Sequence, residues 1–461
     1  MKYTDKGVEN VKIAYIGGGS RGWAWGLMSD LAVAGDMSGE VNLYDINYQA
    51  ALDNEIIGNK FNSAEGALSK WSYKATKTID EALSGADFVV ISILPGTFDE
   101  MESDVHTPEK YGIYQSVGDT AGPGGIIRAL RTLPMMEVIA KAIEKNCPEA
   151  WVINYTNPMA LCIKSLYDTF PKIKAFGCCH EVFSSQKLFA EALEELRGIK
   201  PSDRSEVSVN VLGTNHFTWI NKATYHNIDL MPIYAEYIEK HPEGIGEKDP
   251  NWFNKAFKCQ HLVKFDLFKR YGVAAAAGDR HLAEFCEGSW YLKNPEHVEK
   301  WGFGLTPVSW RKESLKKRLE RSAKLRSGEE AVKIDNTGEE GVMQMRALLG
   351  LKNLVTNVNL PNRGQIPNLP LGAVVETNAA FTADTVTPVF AGEIPEGVHA
   401  LVLRNVDEQL LVAKAVRERN LDYAFQAFVN DPLVTIDTED AKALFDEMVE
   451  NTKEYLKDYN V

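Results

Sequence analysis

The chain has 461 residues, with 64 acidic and 50 basic side chains and a net charge of −14 at pH 7. A chain of this length usually exceeds one hydrophobic core, and an acidic balance without a basic run excludes nucleic acid and anionic membranes as expected partners. A small solute is therefore the expected partner.

The sequence predicts a cytoplasmic protein. Residues 1–10 are charged and lack an apolar signal core, and no later stretch is long enough to cross a membrane. Six cysteines spread along the chain, two of them adjacent at Cys178 and Cys179, do not form a disulfide framework. This pattern favours free thiols in a reducing compartment.

The first predicted strand, residues 11–16, leads into a glycine-rich turn and then into a helical pattern. Glycines at 17, 19 and 22 fit the GxGxxG pattern, which brings backbone close to a pyrophosphate at a helix N-terminus. GxGxxG alone is often only a turn, but here the next strand also ends in an acid, which favours NAD over NADP. The predicted cofactor-binding residues are Gly17, Gly19, Ser20, Gly22 and Asp45.

The class of fold follows from the alternation of strand and helix patterns. Buried-strand patterns at residues 87–93, 151–154 and 173–176 predict an α/β fold, with an N-terminal Rossmann-like doubly wound parallel sheet. Residues 115–131 are rich in glycine and are predicted to form a loop over the site. Beyond residue 200 the pattern becomes mixed, so we expect an NAD-binding domain at 1–200 and an α+β domain at 201–461.

The second half contains fewer but longer predicted elements. Strands are expected at 207–211, 216–229, 354–359 and 373–381, and helices at 252–271, 312–326, 407–428 and 438–455. The helix predicted at 312–326 is so rich in charge that the arginines of the stretch 311–326 are predicted to face solvent.

A polar cluster is expected where the strand at 173–176 ends, because ligands of open α/β folds bind at the carboxyl edge of the sheet. There Cys179, His180 and Glu181 follow one another, and a thiolate and an imidazole, from Cys179 and His216, could hold a divalent cation. Either residue alone would more often belong to a core. Other polar residues in nearby segments, at Asn157, Asn215 and 278–281, favour a solvated site. Asp279 and Arg280 could equally form an ion pair.

These motifs resemble those of glycoside hydrolase family 4, the NAD- and metal-dependent glycosidases, along essentially the whole chain. The matching segments are residues 17–20, 154–158, 179–182, 213–217 and 359–364. In that family the four residues starting at the metal-binding cysteine vary with the substrate, and Cys-His-Glu-Val resembles the version that cleaves α-galacturonides. An aspartate at 279, where phospho-sugar members have a tyrosine base, departs from those members.

The resemblance implies an NAD-dependent reaction rather than hydrolysis by paired carboxylates. It implies oxidation at sugar C3, deprotonation at C2, elimination of the C1 substituent, addition of water and re-reduction, with no net oxidation. By resemblance Cys179 and His216 bind the metal, Asp279 is the C2 base, and His180 is a candidate acid. Asn157 and Asn215 are expected to contact the sugar.

The resemblance also implies Mn²⁺ and an assembly into a homodimer or homotetramer. Thiolate and imidazole by themselves favour softer cations, so the sequence leaves the metal open. The carboxylate of a uronide requires a local cation, and the predicted candidates are Arg128, Arg131 and Arg280. These arginines could instead bind a cofactor phosphate or Asp119.

Two other functions use the same modules. A metal-assisted, NAD-dependent sugar-acid dehydrogenase would release stoichiometric NADH, and other α-glycosidases would differ only in the sugar. An NAD-sensing protein would need the glycine turn but gives no reason for Cys179, His216 and Asp279.

Overall fold

The computed structural model describes residues 1–246, 257–335 and 337–459. The strands of these residues follow in chain order: β1 (Lys2–Thr4), β2 (Gly7–Ile16), β3 (Met37–Tyr44), β4 (Trp71–Thr76), β5 (Phe88–Ile91), β6 (Trp151–Asn154), β7 (Lys174–Gly177), β8 (Val207–Thr214), β9 (Phe217–Tyr225), β10 (Ile228–Asp229), β11 (Ala274–Ala275), β12 (Leu354–Pro361), β13 (Val374–Thr382) and β14 (Thr385–Pro388).

The α-helices of the same residues surround these strands. They are α1 (Trp23–Val33), α2 (Tyr48–Phe61), α3 (Ile79–Leu83), α4 (Phe98–His106), α5 (Gly122–Asn146), α6 (Met159–Thr169), α7 (Glu181–Arg197), α8 (Met231–Lys240), α9 (Leu262–Tyr271), α10 (Asp279–Glu284), α11 (Gly288–Tyr291), α12 (Pro295–Lys300), α13 (Val308–Ser327), α14 (Gly341–Leu348), α15 (Glu396–Glu418), α16 (Leu421–Asn430) and α17 (Thr438–Asn451). None of the described helices is long and apolar enough to cross a membrane.

The main sheet confirms the predicted Rossmann-like fold. Strands β4, β3, β2, β5, β6 and β7 are neighbours in that order and pair in parallel, which is the dinucleotide-binding order. Helices cover both faces of the sheet, and successive residues of β2 therefore point into two different hydrophobic cores. Ala14 and Ile16 belong to one buried cluster, while Ile13 and Tyr15 belong to the other.

Strands from the second half of the chain extend this sheet. β12 runs antiparallel beside β7, where Asn359 pairs with Gly177, and β13 and β14 follow it. A second, antiparallel sheet is built around β9 from β8, β10 and β11. The mixed α+β character of the second half is therefore confirmed. A boundary between domains at residue 200 remains a prediction.

The glycine-rich segment differs from its prediction. The loop prediction is wrong for residues 122–131, because α5 begins at Gly122 and contains both arginines of that segment. Its glycines allow close packing of backbone. A Cβ on Gly124 would lie 2.7 Å from the Asp104 carbonyl oxygen, and one on Gly125 would lie 2.5 Å from the carbonyl carbon of Thr120.

Two helix predictions change in their bounds. The helix predicted at 407–428 is two helices, α15 and α16, since Arg419 has a φ of 50° and the Asn420 side chain caps α16 by accepting from the Asp422 N–H. The helix predicted at 252–271 begins at Leu262 in α9, and residues 252–256 lie outside the described part of the chain.

Candidate functional site

The turn after β2 is shaped by close approach of backbone. Gly17 has a φ of 93°, and a Cβ there would lie 2.0 Å from the Ser92 carbonyl oxygen. A Cβ on Gly19 would lie 2.6 Å from Ala50 Cβ. The buried Asn54 side chain donates to the carbonyl oxygens of Gly18 and Ser20 at 2.8 and 2.9 Å. These close contacts fix a narrow turn of the kind that binds a pyrophosphate through its backbone N–H groups.

Asp45 lies directly beside this turn. Its Oδ2 accepts from the Gly19 N–H at 2.9 Å, and its Oδ1 accepts from the Asn47 N–H at 2.8 Å. The turn continues at Gly22 into α1. The five residues predicted to bind the cofactor therefore lie around one turn at the carboxyl edge of the sheet, and their cofactor role remains a prediction.

Cys179 lies just beyond β7 and is 7% exposed. Burial raises the pKa of its thiol well above the usual range, and the nearby carboxylates of Glu376 and Glu181 raise it further. The Asn215 side chain, near the thiol, acts in the opposite direction and lowers this pKa. A divalent cation at the sulfur would offset the raised pKa and hold the thiolate.

His216 is brought to the same place by the tight turn between β8 and β9, where its φ is 63°. The side chain is buried, and Nδ1 lies 3.1 Å from Thr120 Oγ1. Its ring centroid is 3.9 Å from that of His281. Burial, followed by the neighbouring His281, lowers the pKa of His216 to about 3, so the imidazole is neutral, which is its metal-binding form.

Glu181 lies near both predicted metal ligands, Cys179 and His216. Its Oε2 accepts from the Gly278 N–H at 2.8 Å, and its Oε1 lies 3.6 Å from His281 Nε2. Burial would raise the pKa of Glu181, but the imidazoles of His281, His216 and His180 lower it to about 2. Cys179, Glu181 and His216 thus form a cluster in the sense that the charge of Glu181 acts on both predicted metal ligands.

His180 stands at the mouth of this cluster as the N-cap of α7. Its side chain is 50% exposed, and Nδ1 lies 2.9 Å from Glu339 Oε1. The hydrogen bond with Glu339 raises the pKa of His180. An exposed imidazole with a raised pKa at the mouth of the site is suited to meet a leaving group, and its role as acid remains a prediction.

Asp119 is the charge that faces the metal ligands from the segment before α5. Burial would raise the pKa of Asp119, but Arg128, His216 and His281 hold it well below the usual range. Asn157 Nδ2 donates to Asp119 Oδ2 at 3.4 Å, and Arg128 Nε donates to the Asn157 carbonyl oxygen at 3.2 Å. The buried Nη1 of Arg128 and Oδ1 of Asn157 have no hydrogen-bond partner within the described residues.

Arg131 is placed differently from the two other candidate arginines. Its side chain has no solvent exposure and forms a two-pronged ion pair with Asp104, with Nη1 3.0 Å from Oδ1. Its Nε donates to the Pro95 carbonyl oxygen at 3.1 Å. The guanidinium is therefore fully used inside the fold, and this does not support the prediction that Arg131 binds a substrate carboxylate.

Arg280 lies at the other side of the cluster. Its Nη2 donates to the Ser116 carbonyl oxygen at 2.8 Å and to Thr306 Oγ1, while its buried Nε has no partner among the described residues. Burial, together with the nearby Arg311, lowers the pKa of Arg280 to about 10, so the group is still charged at neutral pH. The alternative ion pair with Asp279 does not form.

Asp279 caps a helix. It has no solvent exposure, and its Oδ1 accepts from the Lys264 N–H at 3.1 Å at the start of α9. Burial raises the pKa of Asp279 to about 6. The buried Oδ2 has no hydrogen-bond partner in the described chain. Asp279 thus has a structural contact and a free oxygen, and its role as base remains a prediction.

A second group of metal-ligand side chains surrounds Asp279. Ligand atoms of Cys259, His261 and Asp279 lie within 4.8 Å of one another. The buried amino group of Lys264 donates to Ser185 Oγ at 2.9 Å. Burial lowers its pKa, and the neighbouring Cys259 and Asp279 act in the opposite direction. The Lys264 side chain already interacts with two of these three groups, so Cys179 and His216 are kept as the expected metal ligands.

The structure adds site residues that the sequence patterns did not single out. Glu376 on β13 is 1% exposed, and Asn357 Nδ2 donates both to its Oε1 at 2.6 Å and to the Cys179 carbonyl oxygen at 3.1 Å. His281 and Glu284 on α10 were also not assigned roles. Polar residues within apolar strand patterns, at 357, 359 and 376, were the available signal.

Comparison with known proteins agrees with this arrangement. The models described as "Family 4 glycosyl hydrolase" and "Family 4 glycosyl hydrolase C-terminal domain" match residues 12–195 and 211–434. An alpha-galacturonidase of Thermoanaerobacterium saccharolyticum is 61% identical, and the match covers 100% of both chains.

Solved structures show the same fold. A putative glucosidase of Bacillus subtilis has a TM-score of 0.91 and 52% identity, covering 95% of this chain and 100% of the other. A 6-phospho-beta glucosidase of Thermotoga maritima, solved with manganese, NAD⁺ and glucose-6-phosphate, has a TM-score of 0.76 and 22% identity, covering 96% and 99%. The chain is therefore a glycoside hydrolase that belongs to family 4.

Proposed function

We propose that this enzyme is an α-galacturonidase. The observation that carries the proposal is the 61% identity, along the full length of both chains, to an alpha-galacturonidase. The segment Cys179-His180-Glu181-Val182 supports it, because this version of the motif resembles the galacturonide-cleaving branch.

The charges of the site fit an acidic sugar. Arg128 is 5% exposed, and its buried Nη1 has no partner in the described residues. Arg280 contributes a second unpartnered guanidinium nitrogen from α10. A forked cation held in a partly buried cleft is the group that binds a carboxylate most strongly. These two arginines support a uronide over a neutral sugar.

The residues of the site also fit NAD and a divalent metal. The glycine turn leaves no room for a Cβ at Gly17 or Gly19. Such a tight, glycine-only turn is typical of dinucleotide-binding sites. Cys179 and the neutral His216 would hold the metal, for which Mn²⁺ is our choice. Bound NAD⁺ supplies reversible hydride transfer, and the metal stabilises negative charge on sugar oxygens.

The chain's own residues then orient the sugar and move protons. Asn157 and Asn215 each have a buried Oδ1 without a partner in the described residues, and these oxygens would accept from sugar hydroxyls. Asp279 Oδ2 would take the proton from C2, since a carboxylate with a pKa of about 6 is a stronger base than usual. His180 would give a proton to the leaving oxygen.

One assay tests the proposal. The enzyme is given an α-galacturonide, with NAD⁺ and Mn²⁺ present, while product release and NADH absorbance are followed together. Product without accumulated NADH is the expected result, because the cofactor is regenerated in each turnover. Stoichiometric NADH would instead identify a sugar-acid dehydrogenase, and cleavage of α-galactosides alone would identify a different glycosidase.

We also infer a cytoplasmic location and a homo-oligomer. All six cysteines are free, which suits a reducing compartment. A homodimer or homotetramer is expected from the family resemblance. Light scattering coupled to gel filtration measures the mass of the particle, and a value near 51.3 kDa, the mass of one chain, would contradict it.

A further inference from the structure

Helix α13 presents two arginines to the site. Arg311 and Arg318 are seven residues apart, about two helical turns, and so lie on the same face. The prediction that arginines of this helix face solvent holds for Arg321 and Arg326, whose side chains are 47% and 44% exposed. Arg311 and Arg318 are partly buried instead.

Arg318 lies over the glycine turn. Its Nη1 is 3.5 Å from the position that a Cβ on Gly22 would take. Together with Gly22 and Trp23 it lines a cavity of about 250 Å³. Arg21, inside the turn, has a buried Nε without a partner in the described chain. Two guanidinium groups therefore flank the backbone that would receive the cofactor's phosphates.

Arg311 lies two turns earlier on the helix, near Asp119 and the residues that surround it. The start of α13 is tied to those residues, because the Thr306 N–H donates to the Ser116 carbonyl oxygen at 3.4 Å and Arg280 contacts the same two residues. Arg311 interacts electrostatically with Asp119, and its buried Nε has no partner among the described residues.

The local charges leave an excess of cations. Three guanidinium groups, those of Arg128, Arg280 and Arg311, interact with the carboxylate of Asp119, and Arg280 also interacts with the carboxylate of Glu181, so three cations face two anions. Each has one buried nitrogen without a hydrogen-bond partner in the described chain. Burial raises the pKa of the neighbouring Glu284 to about 8, so this carboxyl adds little negative charge at neutral pH. Buried unpaired donors are costly unless an anion accepts from them.

We propose that Arg311 binds the carboxylate of the substrate, together with Arg128 and Arg280, while Arg318 binds the cofactor's pyrophosphate. This assignment rests on the proposed α-galacturonidase function. It names Arg311 as a residue that makes the enzyme prefer a sugar with a carboxylate. One helix face then holds both anions at a distance set by two helical turns. Arg311 is a specificity-determining residue that the local sequence pattern had placed in solvent.

The test separates the two arginines. Arg311→Ala, Arg318→Ala and the exposed Arg321→Ala are compared with the wild type, with circular dichroism as the check of folding. Calorimetric titration with Mn²⁺ present measures the dissociation constants of NAD⁺, of galacturonate and of its uncharged methyl ester. Arg311→Lys serves as a second variant, which keeps the charge but loses the fork.

Arg311→Ala should weaken galacturonate binding by about 10-fold to 100-fold and the methyl ester much less, with NAD⁺ binding unchanged. Arg318→Ala should weaken NAD⁺ binding by about tenfold and keep the preference for galacturonate, and Arg321→Ala should change neither. Equal losses on acid and ester in Arg311→Ala, or no loss, would overturn the inference. A wild type that neither prefers galacturonate nor cleaves galacturonides would instead overturn the proposed function.

Discussion

Cys179 and His216 can be tested as metal ligands by single substitutions. Cys179→Ser and His216→Ala should each weaken Mn²⁺ binding by more than about a hundredfold and abolish turnover, because each removes one donor from a small ligand set. NAD⁺ binding should remain, since the glycine turn after β2 is a separate segment. Paramagnetic resonance of free Mn²⁺ measures the affinity. The buried Cys178→Ala variant is the control, and unchanged affinity in either ligand variant would place the metal elsewhere.

Asp279 is both a helix cap and the predicted base, and one substitution separates these roles. Asp279→Asn keeps the oxygen that accepts from the Lys264 N–H, so the fold should survive. Its amide cannot take a proton at neutral pH, so exchange of the C2 proton with solvent should stop. Mass spectrometry of product formed in D₂O reads deuterium at C2. Undiminished uptake would move the base role to another residue, and His180 would be tested next.

At the level of elements, Glu284 joins α10 to the segment that carries Asp119. It is 1% exposed, and its Oε1 accepts from the N–H groups of Val117 and Gly118 at 2.7 and 2.9 Å. Burial raises its pKa from 4.5 to about 8. Between these values the folded protein holds a proton that the unfolded chain has released, so this carboxyl makes stability fall as pH rises.

Glu284→Gln removes this titration while keeping an acceptor oxygen. The variant should therefore gain stability relative to the wild type as pH rises from about 5 to 8, by up to roughly 4 kcal/mol in the free energy of unfolding. Urea denaturation at several pH values measures the difference. Glu299→Gln, at an exposed position on α12, is the control. A difference that is constant with pH would show that Glu284 is ionised in the fold.

For the whole molecule, we expect cleavage to require both the NAD site and the metal site. Dialysis against a chelator, with removal of nucleotide, should abolish cleavage, and addition of both NAD⁺ and Mn²⁺ under reducing conditions should restore it. Each ligand should also raise the melting temperature, because binding at about 100 times its dissociation constant adds about 2.7 kcal/mol of stability. Full activity without metal or nucleotide would contradict the mechanism, whereas partial restoration by NAD⁺ alone would contradict the metal's role.

The sequence by itself determined what local spacing encodes. The glycine turn, the acid at the end of β3 and the strands β2, β3, β5, β6 and β7 were predicted, because strand, turn and helix patterns depend on residues close in the chain. β1 and β4 were not predicted. The family motifs located the segments at 179–182 and 213–217, which the structure brings together. The glycines at the start of α5 led to the wrong prediction of a loop. They are needed there because the helix packs closely against backbone of other segments.

Only the tertiary structure decided which partners the charged side chains meet. Arg131 pairs with Asp104, which is 27 residues away, and Arg311 interacts with Asp119 although its own helix is rich in surface charge. Glu376 comes near Cys179, through their shared partner Asn357, because β12 and β13 of the second half of the chain join the main sheet beside β7. An ionic partner is set by distance in space and by burial, and neither quantity is encoded in the spacing of residues along one segment.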